Sequence, residues 1–302
     1  MIGRESMKLS TNCCNQYRLE SLATTLVDGL RAELYLTPKP GLVDLANSGS
    51  HSDLNLELMN RSISLLRGYL DELCAALAAG HSLAELVPLG RRAEARMFAE
   101  TGTNCHRGGI FLCGLLLTAV TRIDDPSNTR ALRLAVAEVA AEFFRARAAE
   151  ASHGNRVRLE YPRSGIVAEA LDGLPALFDT FLPAMAETGV AKSLRPFLAM
   201  ARLMQVVEDS TSLHRCGQAG LDTVKRAGAM LESVICHGHS PYRFLDQLDS
   251  EFRCLNLTMG GVADILGLGF GYYSFRSSFV SAAAPAETRN SWLATSSPAP
   301  AY

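Results

Sequence analysis

The stretch Tyr17–Tyr35, YRLESLATTLVDGLRAELY, decides the fold class. Its leucines fall at 19, 22, 26, 30 and 34, steps of three and four that line one face of an α-helix. The same spacing recurs at Leu54, Leu58, Ile63, Leu66, Leu70, Leu73 and Leu77, with small slips. Leu132, Val136, Val139 and Phe143 form a third stripe, and Leu198, Leu203, Val206 and Val207 a fourth. Strict alternation over six residues is hard to find, and hairpin turn signals are absent. The pattern predicts an all-α fold, a single compact domain of about ten or more helices at ordinary helix lengths. Asp125-Pro126 reads as one helix start, with Asp as N-cap and Pro at the first position.

A chain of 302 residues is long enough for a sizeable core. Its 48% hydrophobic and 20% charged residues are a globular composition, not a disordered one. Basic and acidic residues nearly balance, 29 against 31, so no global basic field exists to hold nucleic acid or an anionic membrane. The longest apolar run, Gly109 to Thr121, is too short to span a bilayer, and Met259 to Val280 carries Asp264 and Arg276. The first residues hold no signal-peptide core. The expectation is a soluble, cytoplasmic protein with no nucleic-acid or membrane partner. Eight cysteines include no Cys-x-x-Cys pair, and Cys74, Cys113 and Cys236 sit in apolar helical stretches, which predicts buried free thiols. No linker splits the chain. Residues 16–280 are expected to form the catalytic domain, 1–15 a loosely ordered N-terminus and 281–302 a flexible Ala/Pro/Ser-rich tail.

The 24 glycines cluster with polar residues between the apolar stripes, which predicts a site built in interhelical loops. Thr37-Pro-Lys-Pro-Gly-Leu-Val-Asp44 is stiffened by two prolines that bracket Lys39. It is either a site loop or a plain turn. Asp44, His51 and Asp53 follow within a short span, carboxylates suited to magnesium or to general-base work, or solvated surface acids. Asn104-Cys-His106-Arg107-Gly108-Gly109 runs into an apolar helix, where free first-turn amides beside Arg107 suit a phosphate. The plain alternative is that the glycines allow close helix packing. Thr258-Met-Gly260-Gly261-Val-Ala-Asp264 repeats the pattern with Thr258 as a natural N-cap. Glu94 sits near an apolar helical face, either as a functional acid or as a surface partner of Arg91 or Arg96. No phosphate-binding Gly-x-x-x-x-Gly-Lys, nucleophile elbow or adjacent His-Asp pair is present, and Gly267, Gly269 and Gly271 only imitate a dinucleotide fingerprint.

In this order, the strings resemble the triphosphoribosyl-dephospho-coenzyme A synthases, from about Leu30 to about Leu268. Thr-Pro-Lys-Pro-Gly-Leu-Val-Asp, Asn-x-Gly-Ser-His-x-Asp, and Glu94 followed by Thr-Gly-x-Asn-x-His-Arg-Gly carry the resemblance. The later Ser-His-Gly string at His153, Glu208-Asp209-x-Thr-x-x-His-Arg215 and Gly-Gly-x-Ala-Asp264 extend it. Four positions depart from the family's usual residues: Cys105, Thr211, Thr258 and Met259. The resemblance implies an all-α transferase that joins the triphosphoribosyl group of ATP to the 2′-hydroxyl of 3′-dephospho-coenzyme A and releases adenine. The Gly-Ser-His form and the length look more like the malonate decarboxylase branch than the citrate lyase branch, with a carrier-protein transferase receiving the product. A change from β-N-glycoside to α-O-glycoside implies single displacement with inversion. The resemblance then implies a base among Asp44, Asp53 and Glu94, and a donor at the leaving adenine such as His106 or a protonated carboxylate. It implies substrate binding by Lys39, His51, Asn104, Arg107, Gly108, Gly109, His153, Arg163, Arg215, Gly260 and Gly261, and magnesium held by Glu94, Asp209 and Asp264. An all-α ribosyl hydrolase or phosphohydrolase, or a non-catalytic helical nucleotide-binding protein, are the alternatives.

Overall fold

The leucine stripe that opens the chain lies within α1 (Ile2–Tyr35), and Leu19, Leu22, Leu26, Leu30 and Leu34 are all essentially shut off from solvent. The computed structural model describes residues 2–103, 105–152 and 165–282. Ten more α-helices follow: α2 (Leu56–Ala78), α3 (Leu83–Thr101), α4 (Arg107–Val120), α5 (Thr129–Ser152), α6 (Gly165–Leu171), α7 (Leu182–Ala186), α8 (Arg195–Val206), α9 (Ser210–Cys236), α10 (Tyr242–Cys254) and α11 (Gly260–Ala282). A π-helical turn, Ala176–Phe181, leads into α7, and a 3₁₀ turn, Lys192–Leu194, into α8. No strand occurs among the described residues, and one continuous apolar core joins the helices. The all-α expectation therefore holds.

Two helices organise the core. α4 is apolar on every side, so it must be surrounded, and α1, α2, α3, α5 and α11 all pack against it. The apolar run that is too short for a membrane is this buried central rod. Among the described residues, no helix is long and apolar enough to cross a bilayer. The α1–α11 crossing is the most extensive helix pair. A Cβ built on Gly29 would lie 2.3 Å from the backbone nitrogen of Gly271, so the two backbones nearly touch. Gly267 abuts Leu30 in the same seam, and Gly269 receives the Phe181 ring. The Gly-x-Gly-x-Gly run is thus a packing surface.

Two local expectations need correction. α5 begins after Asn128, whose side chain accepts the Ala131 N–H at 3.1 Å. The Asp125 carboxylate instead closes a turn on the Ser127 N–H and hydroxyl at 2.9 and 2.7 Å. Asn128 is then left to cap the helix. Cys74 and Cys113 are buried free thiols, but Cys236 is exposed because it ends α9 on the solvent side.

Candidate active site

The loop from Thr37 to Asp53 folds back on the C-terminal end of α1. Lys39 is 1% exposed, and its ammonium donates to the Glu33 carboxylate and to the Glu33 carbonyl at 2.6 Å. A cation at a helix C-terminus meets unpaired carbonyls and the negative end of the helix dipole, which explains the site it takes. Burial raises the pKa of Glu33, and the Lys39 ammonium pulls it back down. Asp44 is also buried. One of its oxygens accepts the N–H groups of Ala46 and Asn47 at 2.8 and 3.1 Å, and the other that of Lys39 at 2.9 Å. Lys39 and Asp44 therefore brace the loop. Gly41, at φ 67°, donates to Asp249 at 3.0 Å, and Asn47 bonds the other Asp249 oxygen at 3.0 Å. Neither Glu33 nor Asp249 stands out in the sequence, because an acid in a helix interior gives no signal of what lies opposite it.

Further along the same loop, Arg215 donates to the Ser50 carbonyl at 2.5 Å, to Asn256 at 3.2 Å and to His51 Nδ1 at 3.2 Å. A guanidinium can only donate, so Nδ1 of His51 accepts and its Nε2–H donates to the Thr258 hydroxyl at 3.0 Å. Burial and then the Arg215 charge lower the His51 pKa. Asp53 is exposed, 3.8 Å from His51 Nδ1 and 3.3 Å from the Thr103 hydroxyl.

Both Gly-Gly pairs open a helix, and each admits a carboxylate from elsewhere in the chain. A Cβ on Gly108 would fall 1.9 Å from an Asp264 oxygen. Asp264 lies against the first turn of α4, where the Gly109 amide hydrogen-bonds its carboxylate. Asp209 caps α9 through the Thr211 and Ser212 amides, both at 2.9 Å, and reaches the Val262 amide in the first turn of α11 at 3.0 Å. A Cβ on Gly261 would crowd that same Asp209 carboxylate at 3.0 Å. The helix-start amides expected to cradle phosphate thus already serve internal anions. Burial, with Glu33 and then Asp209 adding negative charge, pushes the Asp264 pKa up to about 8 despite the Gly109 amide.

His106, at the α4 N-cap, is buried, and burial and then the Lys39 charge lower its pKa to about 4. Its ring is neutral at pH 7. The Ser62 hydroxyl gives its one proton to the Met59 carbonyl at 2.9 Å, so it accepts the proton on His106 Nδ1. That leaves Nε2 as an acceptor. Ser62, inside the α2 stripe, is a site residue that sequence reading passes over.

These elements enclose a cavity of about 590 Å³. Its walls draw on Leu42, Val43 and His51 from the first loop, on Cys105 to Gly108, on Glu208, Ser210 and Thr211, and on Gly260, Gly261, Ala263 and Asp264. Glu33, Glu94 and Glu169 complete the acids, and Arg107 is the one Lys or Arg among the described residues that line it. Glu94 pairs with Arg107 at 3.5 Å, not with Arg96, which bonds Glu72. Both members of that pair also border a second cavity of about 140 Å³ among α2, α3, α4 and α5. Of the three candidate bases, only Glu94 faces the main cavity. Lys39, Asp44, Asp53, Asp209 and Arg215 are not among the residues that line it. Asn104, His153 and Arg163, like the 283–302 tail, lie outside the described residues.

Magnesium takes a near-octahedral set of oxygens. Among the described residues, no group of three or more His, Cys, Asp or Glu is placed to hold a metal ion. Asp209 is engaged by three amides and Asp264 by the α4 N-terminus, so Glu94, Asp209 and Asp264 do not fit a preassembled metal cage.

Similarity to known proteins agrees with the geometry. A probable 2-(5″-triphosphoribosyl)-3′-dephosphocoenzyme-A synthase of Pseudomonas putida is 35% identical over 260 residues, covering 82% of this chain and 91% of its own length. Probable synthases of the same name from Pseudomonas savastanoi pv. phaseolicola and Azotobacter vinelandii are 36% and 35% identical, each covering 82% of this chain and 88% and 89% of their own. No solved structure matches. The profile of the CitG family, ATP:dephospho-CoA triphosphoribosyl transferase, matches residues 19–280, and the chain belongs to that family.

Proposed function

We propose that the protein transfers the 5-triphosphoribosyl group of ATP to the 2′-hydroxyl of 3′-dephospho-coenzyme A and releases adenine. The convergence of distant sequence strings, from Leu42 to Asp264, on one cavity carries this reading. In the reaction the bond from the ATP ribose C1′ to adenine breaks and a bond from C1′ to the acceptor oxygen forms. The acceptor hydroxyl loses a proton and adenine gains one. Glu94, the candidate base that faces the cavity, takes the hydroxyl proton. Asp264 holds a proton at neutral pH in a wall shared with Glu33, and it supplies the donor for adenine. His106 is too weakly basic to carry that proton near pH 7, and its Nε2 serves as a fixed acceptor. Arg107 meets the triphosphate once it exchanges Glu94 for phosphate.

The acidic lining is unsuited to a bare polyanion, which favours magnesium-ATP as the substrate form, the ion entering on the phosphates with part of its water shell. The Gly49-Ser-His51 form and the chain length favour the malonate decarboxylase branch, with the product passed to a carrier-protein transferase. Incubation with ATP, magnesium and dephospho-coenzyme A, read by mass spectrometry, should give free adenine and a triphosphoribosyl adduct in equal amounts. Adenine or phosphate released equally well without dephospho-coenzyme A would instead mark a hydrolase. Nucleotide binding without turnover would mark a non-catalytic protein.

A further inference from the structure

We infer that Phe111, Phe143 and Phe144 form a stacking platform for the adenine base of one substrate nucleotide, an assignment that rests on the activity proposed above. Phe111 projects from α4, and Phe143 and Phe144 from α5. Their ring centroids lie 5.5 Å (Phe111–Phe143), 5.9 Å (Phe111–Phe144) and 5.1 Å (Phe143–Phe144) apart. All three rings line the main cavity and are only half-buried there. They are its only phenyl rings among the described residues. Apolar ring surface that borders a cavity is stabilised when a flat apolar surface covers it.

Charge distinguishes which part of a nucleotide belongs on this wall. Glu33 and Glu208 line the same cavity and repel phosphate, whereas an uncharged base carries no such penalty. Arg107 lies one helical turn before Phe111 on α4, on the same helix face. Its side chain is 64% exposed, with Glu94 as a loose partner. A base stacked on the platform therefore places its phosphates one turn away, beside a guanidinium. A purely aliphatic ligand would cover the rings but leave the guanidinium unused. Both substrates of the proposed reaction carry adenine, so the shared chemistry is the purine, and the two sources separate by experiment.

The test compares Phe143→Leu with Phe143→Tyr by calorimetry against ATP and against dephospho-coenzyme A. Phe143→Leu should weaken one of the two nucleotides by roughly tenfold, the scale of a lost base–ring stack. The nucleotide that weakens is the one seated there. Phe143→Tyr keeps the ring and should stay within about twofold of the wild type. Phe144→Leu gives the same reading should Phe143→Leu melt early. Unchanged affinity for both nucleotides in the leucine variants, with wild-type product formation intact, overturns the platform and leaves the activity standing. A wild-type protein that binds neither nucleotide overturns both. Competition by ADP and by 4′-phosphopantetheine adds a further arm. If the leucine variants weaken only phosphopantetheine, the rings hold the apolar arm of the coenzyme and the purine assignment fails.

Discussion

Asp264 shows how one side chain ties stability to chemistry. Its folded pKa of about 8 lies above the ordinary aspartate value of 3.8, so between these the folded state binds a proton that the unfolded chain has released. Rising pH therefore favours unfolding across that window. Asp264→Asn removes this contribution, and its advantage in melting temperature over the wild type should grow from pH 4 to pH 8. A constant difference across that range would refute the assignment. His106 acts with opposite sign. Its folded pKa of about 4 lies below 6.5, so its stabilising effect is full above pH 6.5 and disappears as pH falls toward 4. Glu94 is the sharper functional test. Glu94→Gln should lower the rate of adenine release by roughly 10²–10⁴-fold, the usual range for a general base, with little change in melting temperature, because its ion pair with Arg107 is half-exposed. An undiminished rate would remove Glu94 from the mechanism. The types of residue were readable here but their roles were not. Asp44 and Glu94 look alike as loop or helix acids in the sequence. Only the folded chain shows that Asp44 is bonded by three backbone amides while Glu94 faces the cavity.

Helix crossings decide where these side chains end up. The α1–α11 seam depends on Gly29, whose missing Cβ lets the backbone at Gly271 approach. Gly29→Ala would press a methyl group against backbone atoms that cannot turn aside, and it should cost about 1–3 kcal/mol or more in denaturant unfolding. Full stability in this variant would show that the crossing has slack. Gly108→Ala is the companion test at the α4 start, since its Cβ would occupy the Asp264 carboxylate position. Stability should fall, and adenine release should fall further as Asp264 is displaced. The apolar run that forms α4 was visible in the sequence, and so was its glycine-rich start. That the start is met by Asp264 was not, because the two are brought together by the packing of α11 against α4 and are separated by more than half the chain.

At the scale of the whole molecule, the near-neutral balance of 29 basic and 31 acidic residues conceals a cavity lined by five carboxylates and one guanidinium among the described residues. A polyanionic substrate in such a place calls for a cation that travels with it. Chelation with EDTA should therefore abolish adenine release, and added magnesium should restore it without a change in the melting temperature of the nucleotide-free protein. Activity that persists in EDTA would show that Arg107 and the surrounding dipoles suffice. The all-α class was determined by the sequence alone, because the three-and-four spacing of leucines is a local property of a helix and needs no partner to be read. The order of the polar strings likewise marked the family. Which acids face substrate and which are held by backbone amides was decided only by tertiary structure. Burial, charge neighbours and helix-end amides act across contacts between distant residues, and linear spacing does not record them.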